Sequence, residues 1–254
     1  MIYLIYSLIG LGGGVLTGLA GLTAAMVVTP ILVGGCGWNS YDATTIALIA
    51  NVPSSIITAY TYYKNGNIKI KEGIKVATCS FIGTVLGSYL GYLFSQNSEG
   101  GIGTMVMIGN IFLGLKFIVK PLNSSPKEAS EQNQKKTLLA LFLGFLIGVE
   151  CGFMGSAGGI MMLSVFVLLL NYDLRFAVGT SSMVMTLVAL AGSISHVMMG
   201  AEIPLIPGVL ITVMCFIGAS ISAKIANKID SVVLNRIVGI ILVALGVIPL
   251  LFNI

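Results

Sequence analysis

Ten apolar runs partition this chain, and charged side chains are nearly confined to the stretches between them. The runs fall at 2–19, 23–35, 42–63, 74–95 and 101–119, then at 137–153, 156–170, 174–198, 206–226 and 235–252. A helix needs about 20 apolar residues to cross the hydrocarbon core of a bilayer, with a range of about 17–25. Eight of the runs reach that length, whereas 23–35 and 156–170 fall short. Composition excludes a soluble alternative: 9% of residues are charged and 56% hydrophobic, against about 25% charged in a soluble domain. The expected fold class is an all-α polytopic membrane protein. Met1 to Gly10 holds no Lys or Arg, so the basic start of a cleavable leader is missing.

The polar stretch "KPLNSSPKEASEQNQKK", 120–136, is the clear linker, and it divides the runs into two sets of five. The sets match at a constant offset of 134: Gly18 meets Gly152, Gly21 meets Gly155, Ala43 meets Ala177 and Gly66 meets Gly200. The expected organisation is therefore a first membrane repeat at 1–119, a cytoplasmic linker at 120–136 and a second repeat at 137–254. Cytoplasmic loops collect Lys and Arg. With ten alternating crossings, all 13 Lys and Arg fall on one side, among them Lys64, Lys69, Lys71, Lys75, Arg175, Lys224 and Arg236. That side is then the cytoplasm, both termini point outward, and the odd number of segments per half inverts one repeat relative to the other. Matched sequence with inverted loop charge is what an inverted-topology repeat produces.

Each repeat opens with a glycine-broken hairpin. The first break reads "GLAGLTAAMVVT" from Gly18 and the second "GFMGSAGGIMML" from Gly152. Irregular backbone at membrane depth is tolerated only where protein or a water-lined cavity satisfies it. A helix that starts there offers unpaired N–H groups and a positive dipole end, which attract anions. The expected site lies at Gly155, Ser156, Gly158 and Gly159, completed by Gly21 and Thr23 from the other hairpin. Close packing of small residues is the competing role for these glycines. Asn51, Thr180 and Ser181 are the candidate solute contacts on the third segment of each half, where helix back-bonding by Ser and Thr is the alternative. Asn51 stands two residues before Pro53, which suggests a kink.

Glu150 and His196, the sole histidine, are proton-coupling candidates, because an ionisable side chain inside a membrane is a functional hypothesis by default. The alternative is that either one snorkels to the outer interface. Tyr60, Tyr62 and Tyr63 read as an interfacial aromatic belt. Four cysteines without CxxC or CxxH spacing read as small apolar helix residues. No metal site, cofactor or nucleotide motif is expected. The net charge of +4 points to anionic lipid headgroups, not nucleic acid. The expected partners are the lipid bilayer and a small anionic solute, and a homo-oligomer is left open.

At these residues the chain resembles the sulfite exporter TauE/SafE family, also called TSUP. That family's repeat opens with a pattern like G-x-x-G-x-G-G-G followed by a proline, then an A-V-G-T-S-like helix start and a G-N-[IV] turn. Gly152, Gly155, Gly158 and Gly159 match the first element, and Ala177, Val178, Gly179, Thr180 and Ser181 match the second. Gly18, Gly21 and Pro30 match in the first half, as does the turn Gly66-Asn67-Ile68; His196 falls where many members have a histidine. The chain departs from the pattern at Leu22-Thr-Ala-Ala25, where glycines are expected, and at Ser164, which replaces the proline. The resemblance implies a secondary transporter in the cell membrane, an exporter of sulfite, sulfonates or related organic anions by alternating access. A passive anion channel of the same architecture is the alternative. An enzyme is not expected, since no His-Glu-x-x-His or Gly-x-Ser-x-Gly arrangement is present.

Overall fold

The structure, a computed structural model, describes residues 2–95, 134–155 and 158–226 without a break, and scattered positions between 108 and 119 and between 233 and 247. Among the described residues every element is helical: α1 (Ile2–Ala20), α2 (Ala25–Cys36), α3 (Ser40–Lys64), α4 (Ile70–Ser95), α5 (Gln134–Met154), α6 (Gly158–Ser164), α7 (Leu174–Met198) and α8 (Leu205–Ala226). A π-helical turn, Val165–Leu169, extends α6, closed by Leu170 N–H donating to the Val165 carbonyl at 3.2 Å. Ser164 sits at that junction. Six helices are long and apolar enough to cross a membrane, and α2 and the α6 segment are the short ones. The runs expected at 101–119 and 235–252, and 120–133 of the linker, lie outside the continuous description. α5 begins at Gln134, so the last three residues assigned to the linker are helical.

Helix ends follow local chemistry. Asn39 accepts the Tyr41 N–H at 2.8 Å and caps α3. Gly66 and Gly200 adopt φ of +72° and +93° just beyond α3 and α7, the left-handed cap conformation that glycine reaches without a Cβ penalty. α3 continues through Pro53. The hydroxyls that follow bond back to its carbonyls, Ser54 to Ala50 and Ser55 to Asn51, each at 2.7 Å.

Packing links helices from opposite halves. α1 packs against α8, α4 against α5, and α3 against α7. The first two seams are lined by glycines every fourth residue. A Cβ on Gly10, Gly14 or Gly18 would strike α8 at Ile211, Cys215 or Ala219, and one on Gly144, Gly148 or Gly152 would strike α4 at Val76, Ser80 or Thr84. With no hydrophobic drive between helices inside lipid, such small-residue faces let backbones approach and gain dispersion contacts. α3 and α7 are the most buried of the six long helices. By contrast Leu4 and Leu8 of α1 and Leu205, Ile206 and Val209 of α8 stand exposed, as lipid-facing side chains do.

The connections gather at two ends. At one, the Lys69 N–H donates to the Thr180 hydroxyl and the Lys69 ammonium lies 5.1 Å from the Phe176 ring centre. At the other, the Glu202 N–H donates to Asp42 Oδ1 at 2.8 Å. Tyr60 and Tyr63 are exposed as an interfacial belt requires. Tyr62 is not part of it, being only 2% exposed, because the α3 face that carries it turns inward towards Gly179 of α7.

Candidate solute site

Each hairpin turns on one glycine. The Gly21 N–H donates to the Thr17 carbonyl at 2.9 Å and the Gly155 N–H to Cys151 at 2.8 Å, after which φ swings to +66° and +73°. A right-handed helix cannot continue through such a residue, so α1 and α5 stop there. The chain resumes as α2 and α6, and the two tips meet. The Gly159 Cα faces the backbone of Gly21, Leu22 and Thr23 so closely that an added Cβ would lie 2.6 Å from the Gly21 carbonyl oxygen. Gly155 faces Thr44 and Ala25, while Gly21 faces Ser181, Ser182 and the Val178 carbonyl. Each break therefore sits against the third helix of the opposite half.

Asn51 completes the start of α2. Its Oδ1 accepts the Ala24 N–H at 3.0 Å, one of the orphan donors of a helix start. Because a backbone N–H only donates, the carbonyl end of the amide faces α2 and its NH₂ donors are left for other acceptors. The equivalent position in the second half is Met185, so the two breaks are not chemically alike.

The other sequence-derived candidates divide. Gly21, Thr23, Gly155, Gly159 and Ser181 converge at the tips, and Gly158 packs on Cys151 of its own hairpin. Ser181 bonds the Val178 carbonyl of its own helix at 3.0 Å. Thr180 turns away: its hydroxyl accepts the Lys69 N–H at 3.1 Å, at the start of α4. Ser156 lies outside the described residues. The four cysteines are free thiols, two of them buried, and among the described residues no group of three or more His, Cys, Asp or Glu could hold a metal.

His196 does not snorkel. It is fully buried, with Nε2 2.8 Å from the Gly152 carbonyl and Nδ1 2.9 Å from the Thr45 hydroxyl. The Tyr41 ring stacks on it with centres 4.3 Å apart. The partners it finds are thus Gly152 and Thr45, while Glu150 is half-buried on α5. Tyr41 and Thr45 lie one turn apart on α3, and that i, i+4 pairing at the capped start of the helix is the signal that could have found them. Above Tyr41 opens a polar pocket of about 360 Å³, lined by Asn39, Asp42, Tyr92, Ser95 and Glu202 among others.

Six long apolar helices, with two short hairpin helices meeting between them, define a multi-pass membrane protein. The sequence model of a family described as "Sulfite exporter TauE/SafE" matches residues 6–248, and the chain belongs to that family. It is similar to two proteins of Bacillus subtilis (strain 168). It is 26% identical to "Probable membrane transporter protein YunE" over 256 residues, 94% of this chain and 90% of the relative. It is 27% identical to "Probable membrane transporter protein YdhB" over 226 residues, 87% of this chain and 89% of the relative. No solved structure is a significant match. The protein is a membrane transporter of this family.

Proposed function

We propose that the protein is a secondary transporter, an exporter, of a small anion such as sulfite, a sulfonate or a related organic anion, working by alternating access. The observation that carries this reading is the meeting of the two hairpin tips, Gly159 against Gly21 to Thr23. Inverted repeats with discontinuous helices place a solute at such a midplane junction, where helix N-termini favour negative charge. Reciprocal contacts support the inverted relation: α1 on α8 mirrors α5 on α4, and the Gly21 and Gly155 turns share dihedrals and hydrogen bonds at equivalent positions. Both termini then face outward in the cell membrane, with Lys64, Lys69 and Arg175 at the cytoplasmic end. Gly21, Thr23, Asn51, Gly155, Ser156, Gly158, Gly159 and Ser181 form the proposed cradle, with the Asn51 NH₂ as its polar side-chain donor.

Counterflow in proteoliposomes tests the proposal. Unlabelled sulfite, thiosulfate or a short sulfonate loaded inside should accelerate uptake of the labelled anion. A passive pore gives no such trans-stimulation, and absence of acceleration for every anion refutes alternating access. A true substrate should also stabilise the purified protein by about 2.7 kcal/mol at a hundredfold excess over Kd, visible as a shift in thermal unfolding.

A further inference from the structure

We propose that His196 is the proton-binding site of this transporter, charged from the pocket beside Asp42 and Glu202 and covered by the Tyr41 ring. The inference deepens the reading above by naming a coupling ion and rests on it for its physiological meaning, though not for its test. A carbonyl only accepts, so His196 Nε2 carries a hydrogen and donates it to the Gly152 oxygen at 2.8 Å. In the neutral ring Nδ1 is then a bare acceptor, facing the Thr45 hydroxyl at 2.9 Å. That hydroxyl has a second acceptor in reach, the Tyr41 carbonyl at 2.8 Å. With the ring neutral, Thr45 donates to Nδ1. When a proton from outer water adds to Nδ1, the N–H donates to Thr45 Oγ and the hydroxyl hydrogen turns to the Tyr41 carbonyl. Both charge states are fully bonded with no heavy atom moved. On the Nδ1 side the partner is a hydroxyl that can turn, not a fixed backbone N–H, so a second proton can be accommodated there.

The surroundings supply the route and the coupling. On α3 the stacked Tyr41 closes the floor of the pocket, with Asp42 beside it. From α4 Tyr92 meets Tyr41 edge-on with ring centres 6.1 Å apart. The turn after α7 brings Glu202 to Asp42. On α5 the titratable neighbours of Gly152 are Cys151 and Glu150. The Tyr41 hydroxyl donates to Met199 Sδ at 3.7 Å, so the ring is fastened at its rim and must swing for water to reach the imidazole. Gly152 lies in the last turn before the Gly155 break, which sets a charge on His196 beside the hinge of the second hairpin.

As the sole histidine, His196 gives one pair of imidazole signals, Nδ1 and Nε2, in nitrogen NMR of the full-length protein in nanodiscs. The expected result is the Nε2–H tautomer at neutral pH and one reversible titration to imidazolium on acidification. Thr45→Val removes the acceptor for Nδ1–H, and because charge-assisted bonds are about twice as strong as neutral ones the midpoint should fall. The expected fall is about one pH unit, a tenfold loss of proton affinity. Thr45→Ser keeps the rotor and should restore the midpoint. Tyr41→Ala should speed acylation of the neutral imidazole by diethyl pyrocarbonate added from outside, and Tyr41→Phe should not. A ring that keeps Nδ1–H at neutral pH, or never charges before the wild-type protein unfolds, overturns the proposal. The titration needs no solute, so a titrating His196 in a protein without counterflow would sink the transport reading alone.

Discussion

Placing a methyl group at Gly159 tests the meeting of the two hairpins at its tightest point. The added Cβ would stand 2.6 Å from the Gly21 carbonyl oxygen, 2.8 Å from Leu22 Cα and 2.9 Å from the Thr23 nitrogen. All three neighbours are backbone, so no side-chain rotation relieves the clash. A carbon meets a carbonyl oxygen comfortably at about 3.3–3.6 Å, so the tips must part by about 0.7–1.0 Å. Overpacking of this kind costs about 1–3 kcal/mol. If the cost falls only on the conformation in which the tips touch, its population relative to the others drops by about 5- to 150-fold. Gly159→Ala should therefore lower the detergent melting temperature and cut counterflow by at least the smaller of those factors. The paired control is Gly12→Ala, where the nearest atom to the new Cβ is a Val27 methyl at 3.4 Å, an ordinary contact. Exchanging glycine for alanine in a helix interior gains about 0.5–1 kcal/mol, so that variant should melt at or above the wild type. Equal melting temperature and flux in the two variants would refute the tip geometry.

Three further perturbations separate packing from solute contact. Gly148→Ala drives a methyl into the Ser80 carbonyl and should destabilise the α4–α5 seam by about 1–3 kcal/mol, read by thermal unfolding. Asn51→Ala leaves the Ala24 N–H buried without its acceptor, at about 1–3 kcal/mol. Asn51→Asp keeps an acceptor for that N–H but replaces the NH₂ with a carboxyl group at a buried position, so it should melt below wild type and lose counterflow; undiminished flux would remove Asn51 from the cradle. Single cysteines at Asn65 and Ser124, in a chain whose native cysteines are replaced, should share a compartment towards an impermeant thiol reagent. One at Ala201 should report the opposite compartment, and any other pattern breaks the inverted topology.

The turning points of this fold are legible in the sequence because a bend inside the membrane leaves few residue choices. Gly21 and Gly155 announce themselves by their equal spacing from Gly18 and Gly152, and both adopt positive φ. The shortness of α2 and α6 follows from counting apolar residues against the bilayer. The seams are half legible: Gly10, Gly14 and Gly18 declare a close approach, but a period of four names no partner, and the face they meet lies on α8, some 200 residues away. The polar side chains are least legible. Thr180 and Ser181 are neighbours, yet one caps α4 and the other faces Gly21, since adjacent positions on a helix point about 100° apart. His196 looks interfacial because it ends a span, and only the packing of Tyr41 and the end of α5 over it makes it interior.

The crossed seams bear on what can move. The opening helix of each half is zipped along its glycines to a late helix of the other, so neither half is a self-contained block. Rigid bodies that rock during a transport cycle would therefore be chimeric, one holding α1 with α8 and the other α4 with α5, with α3 and α7 as the axle between them. A chain severed within 120–133 would yield two pieces that each lack a partner for their smoothest face. Such pieces should become functional only by clasping one another.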